Sequence, residues 1–450
     1  MSRCQKALLN AKLWTLLLIV AALRGTGQAP PNIILILADD LGYETLPAYG
    51  GESYQTPSID RLSAEGMTFR HCYAQPQCTP SRVQLLTGIY NVRNYVDFGR
   101  LEPSQTTVAQ MLQNSGYTTA VAGKWQLGTS PDNPRQLGFD DFLVWQLTEP
   151  RADAQGRDTR FSQPVLDLNG QVKTYGFEDY GPKVINEYSL AFIEQQAKAQ
   201  KPFFLFYSMM LTHCPFSPTP DSPDWMQSRD EVLTYKGDAR YFPDMVRYMD
   251  KMVGNILRKV DSLGIAQNTI IVFTGDNGTD TPVASMNRGK EIAGGKLLST
   301  DAGTHVPLVV RWPGHCRQGV YQNDLVDFTD FMPTLLEVAG IPRPVSPTLD
   351  GVSFLPALTG KNKNQRDWIY SWYQNPAEKV PVVFARDHRF KLYGTGKFFD
   401  VRKDVLEQNP LLPQEVKPVG RKAYDGLKAV LDAYGKRRLD AVAAKSEKNE

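Results

Sequence analysis

Short, nearly continuous apolar runs recur along the chain at 32–37, 118–122, 203–207, 270–273 and 306–310. Their length predicts strands buried on both faces. Between them, apolar residues return at helical spacing over 58–66, 107–115, 181–199 and 244–263, and the first two of these end near Gly66 and Gly116. Buried strands alternating with amphipathic helices predict an α/β fold: a large mixed, mostly parallel sheet sandwiched by helices.

Polar side chains follow the strand-like runs closely. Open α/β sheets bind ligands beyond the carboxyl ends of their strands, so Asp39, Asp40, Lys124, His213, Asp276 and Asn277 are expected along one rim although they are far apart in sequence. After about residue 340 the pattern changes. Pro342, Pro344 and Pro347 mark a linker-like stretch. Short strands are expected at 368–373, 380–386, 389–393 and 397–401, then a helix over 419–434. This divides the chain into a large α/β domain over 28–345, a small C-terminal α+β domain with a short antiparallel sheet over 346–435, and a charged tail over 436–450 that is expected to fray.

Residues 1–27 read as a signal peptide. Arg3, Lys6 and Lys12 precede an apolar run over 13–23, followed by small residues at Gly25, Thr26 and Gly27. The run is short for a bilayer span, which favours a cleaved leader over the alternative of an uncleaved anchor. The mature protein is therefore expected to be exported, periplasmic or extracellular, with no stable membrane association after cleavage. Lys plus Arg number 50 against 48 Asp plus Glu, a balance that argues against a nucleic-acid binder. Cys4 falls in the leader, leaving Cys72, Cys78, Cys214 and Cys316. Their scatter is no disulfide framework, and conversion of Cys78 would leave room for at most one internal disulfide.

The adjacent carboxylates of Asp39 and Asp40 would repel without a cation or basic partner between them. Asp276 and Asn277 add oxygen donors from another strand end, and hard oxygen donors suit Ca²⁺ or Mg²⁺ rather than zinc. A second cluster is Cys78-Thr79-Pro80-Ser81-Arg82. Thr79 can cap a helix and Pro80 suits its first turn, so Cys78 is expected just before a helix N-terminus, where free N–H groups favour an anion. Arg82, one turn along, can reach back to the same spot.

The pentapeptide, continued by Leu85-Leu86-Thr87-Gly88, resembles the signature of type I, formylglycine-dependent sulfatases of the alkaline-phosphatase-like superfamily. The segments around Asp39-Asp40-Leu41-Gly42, Gly123-Lys124-Trp125, Thr212-His213-Cys214-Pro215 and Gly275-Asp276-Asn277-Gly278 resemble further blocks of that family, as do Gly294-Gly295-Lys296 and the stretch from Val306 to Gly314. The resemblance covers about residues 31–410. It implies that Asp39, Asp40, Asp276, Asn277 and the modified Cys78 hold one Ca²⁺, with Mg²⁺ as the alternative. It also implies that a maturase oxidises Cys78 to formylglycine, whose gem-diol attacks sulfur. Lys124, His213 and Lys296 would then contact the sulfate and the leaving oxygen, and Arg82 would orient the diol. The implied activity is hydrolysis of a sulfate monoester on a sulfated carbohydrate or a small aryl sulfate.

Two departures stand out. Gln126 occupies the place of the family's usual histidine, and an amide cannot accept a proton near neutral pH. Asp301-Ala302-Gly303-Thr304-His305 stands where the family more often has Glu-Gly-Gly and then arginine. Gln126 keeps open an impaired homologue that binds sulfated glycan, while the shared superfamily keeps open a phosphodiester or phosphonate monoester hydrolase. Arg93, Arg100, Arg151, Arg157 and Arg160 lie in segments expected to overhang the rim and are candidates to grip further sulfates or uronic acids.

Overall fold

The computed structural model describes residues 29–228, 235–361, 366–375, 377–378, 380–412, 414 and 416–446. The expected leader over 1–27 and the last four residues of the expected tail lie outside the described residues. No helix among the described residues is long and apolar enough to cross a membrane.

In chain order the strands are β1 (Asn32–Ala38), β2 (Met67–Tyr73), β3 (Thr118–Lys124), β4 (Asp141–Trp145), β5 (Val165–Leu168), β6 (Gln171–Thr174), β7 (Phe203–Ser208), β8 (Thr269–Gly275), β9 (Ala284–Asn287), β10 (Lys290–Ala293), β11 (His305–Arg311) and β12 (Val320–Asp327). All but the β9–β10 hairpin join one sheet in the order β12-β2-β11-β8-β1-β7-β3-β4-β5-β6. Its centre, β8-β1-β7-β3-β4, is parallel. β11 runs antiparallel between β8 and β2, and β5 and β6 extend the far edge antiparallel. The expected mixed sheet is therefore present.

β1 shows why its sequence has no polar alternation. Ile33, Leu35 and Leu37 point into one apolar layer while Ile34, Ile36 and Ala38 point into the other, and all are fully buried. A strand covered on both faces has no wet side. One layer is closed by α1 (Pro57–Ala64), α4 (Gly181–Ala199) and α5 (Phe242–Ser262), the other by α2 (Cys78–Thr87), α3 (Val108–Asn114) and α6 (Phe331–Val338).

The C-terminal strands β13 (Ile369–Tyr373), β14 (Val382–Arg386), β15 (Phe390–Tyr393) and β16 (Phe398–Asp400) form the expected small antiparallel sheet. The final helix α7 (Pro418–Ser446) continues well past residue 434. Leu427, Val430 and Tyr434 of α7 pack in the same apolar cluster as Tyr370, Leu392 and the α2 side of the main sheet. This packing carries β13 to the wall beside Cys78, where Ser371 donates to Gln75 at 2.8 Å and Tyr373 to Gln77 at 3.1 Å. Cys72, Cys78, Cys214 and Cys316 are all buried and free, so none of the described cysteines is in a disulfide.

Candidate active site

The central parallel strands deliver the polar residues to one rim. The ladder runs one step past the strand ends: the Asp39 amide donates to Leu211 O and the Asp276 amide to Ala38 O, both at 2.9 Å. The chain then turns sharply. Asp40 has φ of 58°, and Gln126 and Leu297 are also left-handed at 54° and 75°. Non-glycine residues held there are costly and cluster at functional sites. Sequence spacing alone gave no sign of them.

The turns after β1 and β8 set three carboxylates against three cations. Lys124 Nζ lies 2.8 Å from Asp39, Lys296 Nζ 2.7 Å from Asp40, and Arg82 Nη2 3.0 Å from Asp276, with all six side chains nearly or fully buried. The carboxylates are also bound to one another's neighbourhood: the Asp40 amide donates to Asp276 at 3.0 Å and Asn277 Nδ2 to Asp40 at 2.8 Å. Burial pushes the Asp276 carboxyl up to about 7 and raises Asp40 as well, Asp39 adding to both shifts. Burial also raises Asp39, but Lys124 and Arg82 outweigh it and hold that carboxyl below its ordinary value. So dense a group of acids in a low-dielectric site is stable only with matched positive charge.

Cys78 is the first residue of α2, not the residue before it. Gln77 is the N-cap, in an extended conformation and without a side-chain cap bond. Thr79 does not cap; its hydroxyl donates to Gln126 O at 3.5 Å and accepts from the Gly99 amide at 3.2 Å. The Cys78 thiol donates to Gln126 Oε1 at 2.8 Å. Burial raises the pKa of this thiol, partly offset by Lys124, so the unmodified cysteine is a poor nucleophile near neutral pH. Arg82 does not turn back to Cys78. It spans Asp276, Lys124 O at 3.1 Å and the Ser208 hydroxyl, tying β8, β3 and β7 together beneath the thiol.

His213 faces the same space. Its Nε2 lies 3.1 Å from Lys296 Nζ and 3.6 Å from Asp40, and its Nδ1 lies 2.9 Å from Arg160 Nη1 and against Cys214 O. Burial and the surrounding Lys296, Lys124 and Arg160 charges hold the imidazole well below its ordinary pKa, hence neutral. Arg160 is itself buried, paired with Asp158 at 2.8 Å and stacked 4.4 Å over Trp145. Asp158, Ser208, Asp280 and Lys236 complete the surroundings. Sequence reading missed them, because isolated polar residues in loops carry no periodic signal.

These groups open on a cavity of about 490 Å³ lined by Cys78, Lys124, Gln126, Arg160, His213 and Lys296, with the more exposed Arg151, Tyr235 and Lys236 also in its wall. Of the candidate arginines, only Arg151 and Arg160 are among its lining residues. Arg93 is spent on Asp350 at 2.8 Å, Arg100 on Glu102 at 2.9 Å and Arg157 on Asp153 at 3.0 Å. In the departing loop, Asp301 pairs with Arg386 of β14, while His305 stacks on Tyr43 at 4.1 Å and donates from Nε2 to Arg70 O at 2.9 Å.

The donor set suits a hard divalent cation. Asn277 Oδ1 is buried without a hydrogen-bond partner, a costly state for a carbonyl. It lies beside Asp40, whose counter-charge is the Lys296 ammonium. Asp39, Asp40 and His213 also come within mutual ligating reach. The His213 ring, however, is held by Arg160 and Lys296, and oxygen donors dominate the site, as Ca²⁺ or Mg²⁺ prefers.

Comparison with known proteins gives a consistent result. The sulfatase family model matches residues 31–341, and the model for the C-terminal part of N-sulphoglucosamine sulphohydrolase matches residues 295–428. The chain is similar to human (Homo sapiens) arylsulfatase A, 32% identical over 84% of this chain and 77% of that protein. It is also similar to N-acetylgalactosamine-6-sulfatase of Canis lupus familiaris, 31% identical over 79% and 72%. A solved structure in complex with its substrate D-glucosamine-2-N,6-O-disulfate shares the fold, with a TM-score of 0.72, 22% identity and coverage of 91% and 98%.

Proposed function

The chain belongs to the sulfatase family and is a sulfuric ester hydrolase, and from that premise we propose that it cleaves a sulfate monoester of a sulfated carbohydrate, using formylglycine made from Cys78 and one Ca²⁺. The observation that carries this reading is the position of Cys78 at the first turn of α2, facing the cavity that Lys124, His213 and Lys296 line.

Formylglycine made from Cys78 would supply a hydrated aldehyde, one hydroxyl to attack sulfur and the other to release sulfate as the carbonyl re-forms. Bound Ca²⁺ supplies positive charge that favours the ionised nucleophile. Asp39, Asp40, Asp276 and Asn277 would hold it, and Lys124 and Lys296, now paired with Asp39 and Asp40, would then be available to the sulfate oxygens. Neutral His213, its Nε2 toward the cavity, serves the leaving oxygen as the ester bond breaks. Arg82 opposes the rise that burial imposes on Asp276 and fixes the ends of the strands that carry the site. Gln126 positions the residue made from Cys78 but cannot take its proton, so the expulsion of sulfate relies on water or another base.

Carbohydrate substrates are favoured by two things: the relative that acts on N-acetylgalactosamine 6-sulfate by name, and the neighbour solved with a sulfated glucosamine. The basic residues and apolar run over 3–23 support a reading in which maturation accompanies export, with a formylglycine-generating maturase as transient partner and a periplasmic or extracellular destination. The test is peptide mass spectrometry across Cys78 after co-expression with such a maturase, followed by a panel of sulfated sugars, an aryl sulfate, a phosphodiester and a phosphonate monoester. A mass loss of about 18 Da with sulfate release is expected. Unconverted cysteine, or turnover confined to phosphorus esters, would overturn the reading.

A further inference from the structure

Among the described residues that line the cavity, every cation but one is matched to an acid. Lys124 pairs with Asp39 at 2.8 Å, Lys296 with Asp40 at 2.7 Å, Arg160 with Asp158 at 2.8 Å, and Lys236 with Asp280. Arg151 has no carboxylate partner among the described residues. Its guanidinium lies 4.3 Å over the ring of Tyr235, which is half exposed at the mouth, and Lys236 Nζ sits 5.7 Å from the same ring. The backbone beneath Arg151 is fixed. Its carbonyl accepts from both the amide and the hydroxyl of Thr159 at 3.0 Å, and Thr159, nearly fully buried, accepts from Trp145 Nε1 at 3.0 Å. An anchored arginine stacked on an aromatic ring, with its donor fork unspent, is pre-organised for a planar or tetrahedral anion.

The deeper cations are matched by the carboxylates or taken by the scissile sulfate. The charge of Arg151 is left for something else that the substrate carries. Resting on the sulfatase reading, we propose that Arg151 forms a second anion subsite at the mouth of the cavity. The preferred substrate then bears, beside the sulfate that is cleaved, a second sulfate or a carboxylate on the same or the adjoining sugar. The cavity, of about 490 Å³, falls within the usual range for small-ligand sites.

The experiment uses matured full-length enzyme with four substrates: an aryl sulfate, a monosulfated hexosamine, a disulfated hexosamine and a sulfated disaccharide containing a uronic acid. Wild type is expected to favour at least one doubly anionic sugar. Arg151→Gln should raise KM for that sugar roughly tenfold or more, about the value of one charge-assisted hydrogen bond, with kcat nearly unchanged. Arg151→Lys should recover part of the loss, and the aryl sulfate and monosulfated sugar should be unaffected. The arm that responds identifies sulfate or carboxylate as the second anion. Equal losses on all substrates, or none on either doubly anionic sugar, would overturn the subsite. Calorimetric binding of the same sugars to wild type and Arg151→Gln keeps the failures separate. A matured enzyme that hydrolyses no sulfate ester sinks the functional reading, while Arg151-dependent binding still decides the subsite.

Discussion

The Cys78 thiol donates to the side-chain oxygen of Gln126 across 2.8 Å, so the proposed precursor of the nucleophile touches an amide that can accept a hydrogen bond but not a proton near neutral pH. Gln126 is held at φ 54°, a conformation that histidine tolerates better than most residues. Gln126→His should therefore fit and restore a proton acceptor beside the nucleophile. Where sulfate expulsion limits turnover, kcat should rise tenfold or more, with the ~100- to 10,000-fold worth of a general base as its ceiling. A pre-steady-state burst of alcohol in wild type should shrink in the variant. A fall in kcat with the burst intact would show that the amide itself is required.

Removal of divalent metal should cost both activity and stability. The buried, unpartnered Asn277 carbonyl and the raised Asp40 and Asp276 carboxyls are what a cation would satisfy. A ligand at a hundred times its Kd stabilises by about 2.7 kcal/mol. For a chain of this size that corresponds to a shift of about 3 °C in Tm. Scans with a chelator, then with Ca²⁺ or Mg²⁺ restored, should show the loss and its recovery. An unchanged Tm and rate would remove the metal assignment.

Legibility followed burial. β1, β3, β7, β8 and β11 were readable because each is covered on both faces and so carries an unbroken apolar run. β6, wholly exposed, and β12, alternating at the sheet edge, lack that signature, and Arg70 and His71 interrupt β2. Asp39, Asp40, Asp276 and Asn277 could be placed because strand ends locate them. Arg151 and Arg160 could not be told from Arg93, Arg100 and Arg157, since only the folded loops decide which guanidinium meets the cavity. Cys78 differs by one position from its expected place because Gln77 starts α2 by backbone conformation alone.

Arg366 is expected to be a strong stability determinant. It binds Asp330 through two nitrogens, one at 2.8 Å, donates to Tyr90 at 2.7 Å, and is almost fully buried between the C-terminal segment and α6. Burial already pushes Asp327 up to about 7 and raises Asp330, and Arg366 is the cation that opposes both shifts. Arg366→Met leaves these acids without it, a loss of about 3–5 kcal/mol by the usual cost of breaking a buried pair. Denaturant unfolding should show it as a lower midpoint. A change below about 1 kcal/mol, the value of an exposed pair, would mean the acids find other partners.

The histidines at the junction of β2, β11 and the C-terminal sheet predict acid sensitivity away from the active site. His71 lies 4.8 Å from His388 and 6.2 Å from His305, with Arg386 and Asp301 facing the group. Burial, with the neighbouring imidazoles, lowers His71 to about 3; burial, opposed by Asp301, lowers His305 to about 4. Both therefore stay neutral in the folded protein at pH values where the unfolded chain, titrating near 6.5, takes up protons. Stability from this source is complete above about pH 6.5 and is lost as pH falls below it, at about 1.4 kcal/mol per pH unit for each such imidazole. His71→Phe keeps an aromatic ring in place but removes one proton-binding site. The Tm of wild type should fall from pH 7 to pH 5, and that of His71→Phe should fall less steeply over the same range. Parallel curves would place the acid sensitivity in other groups and show that His71 protonates without opening the junction.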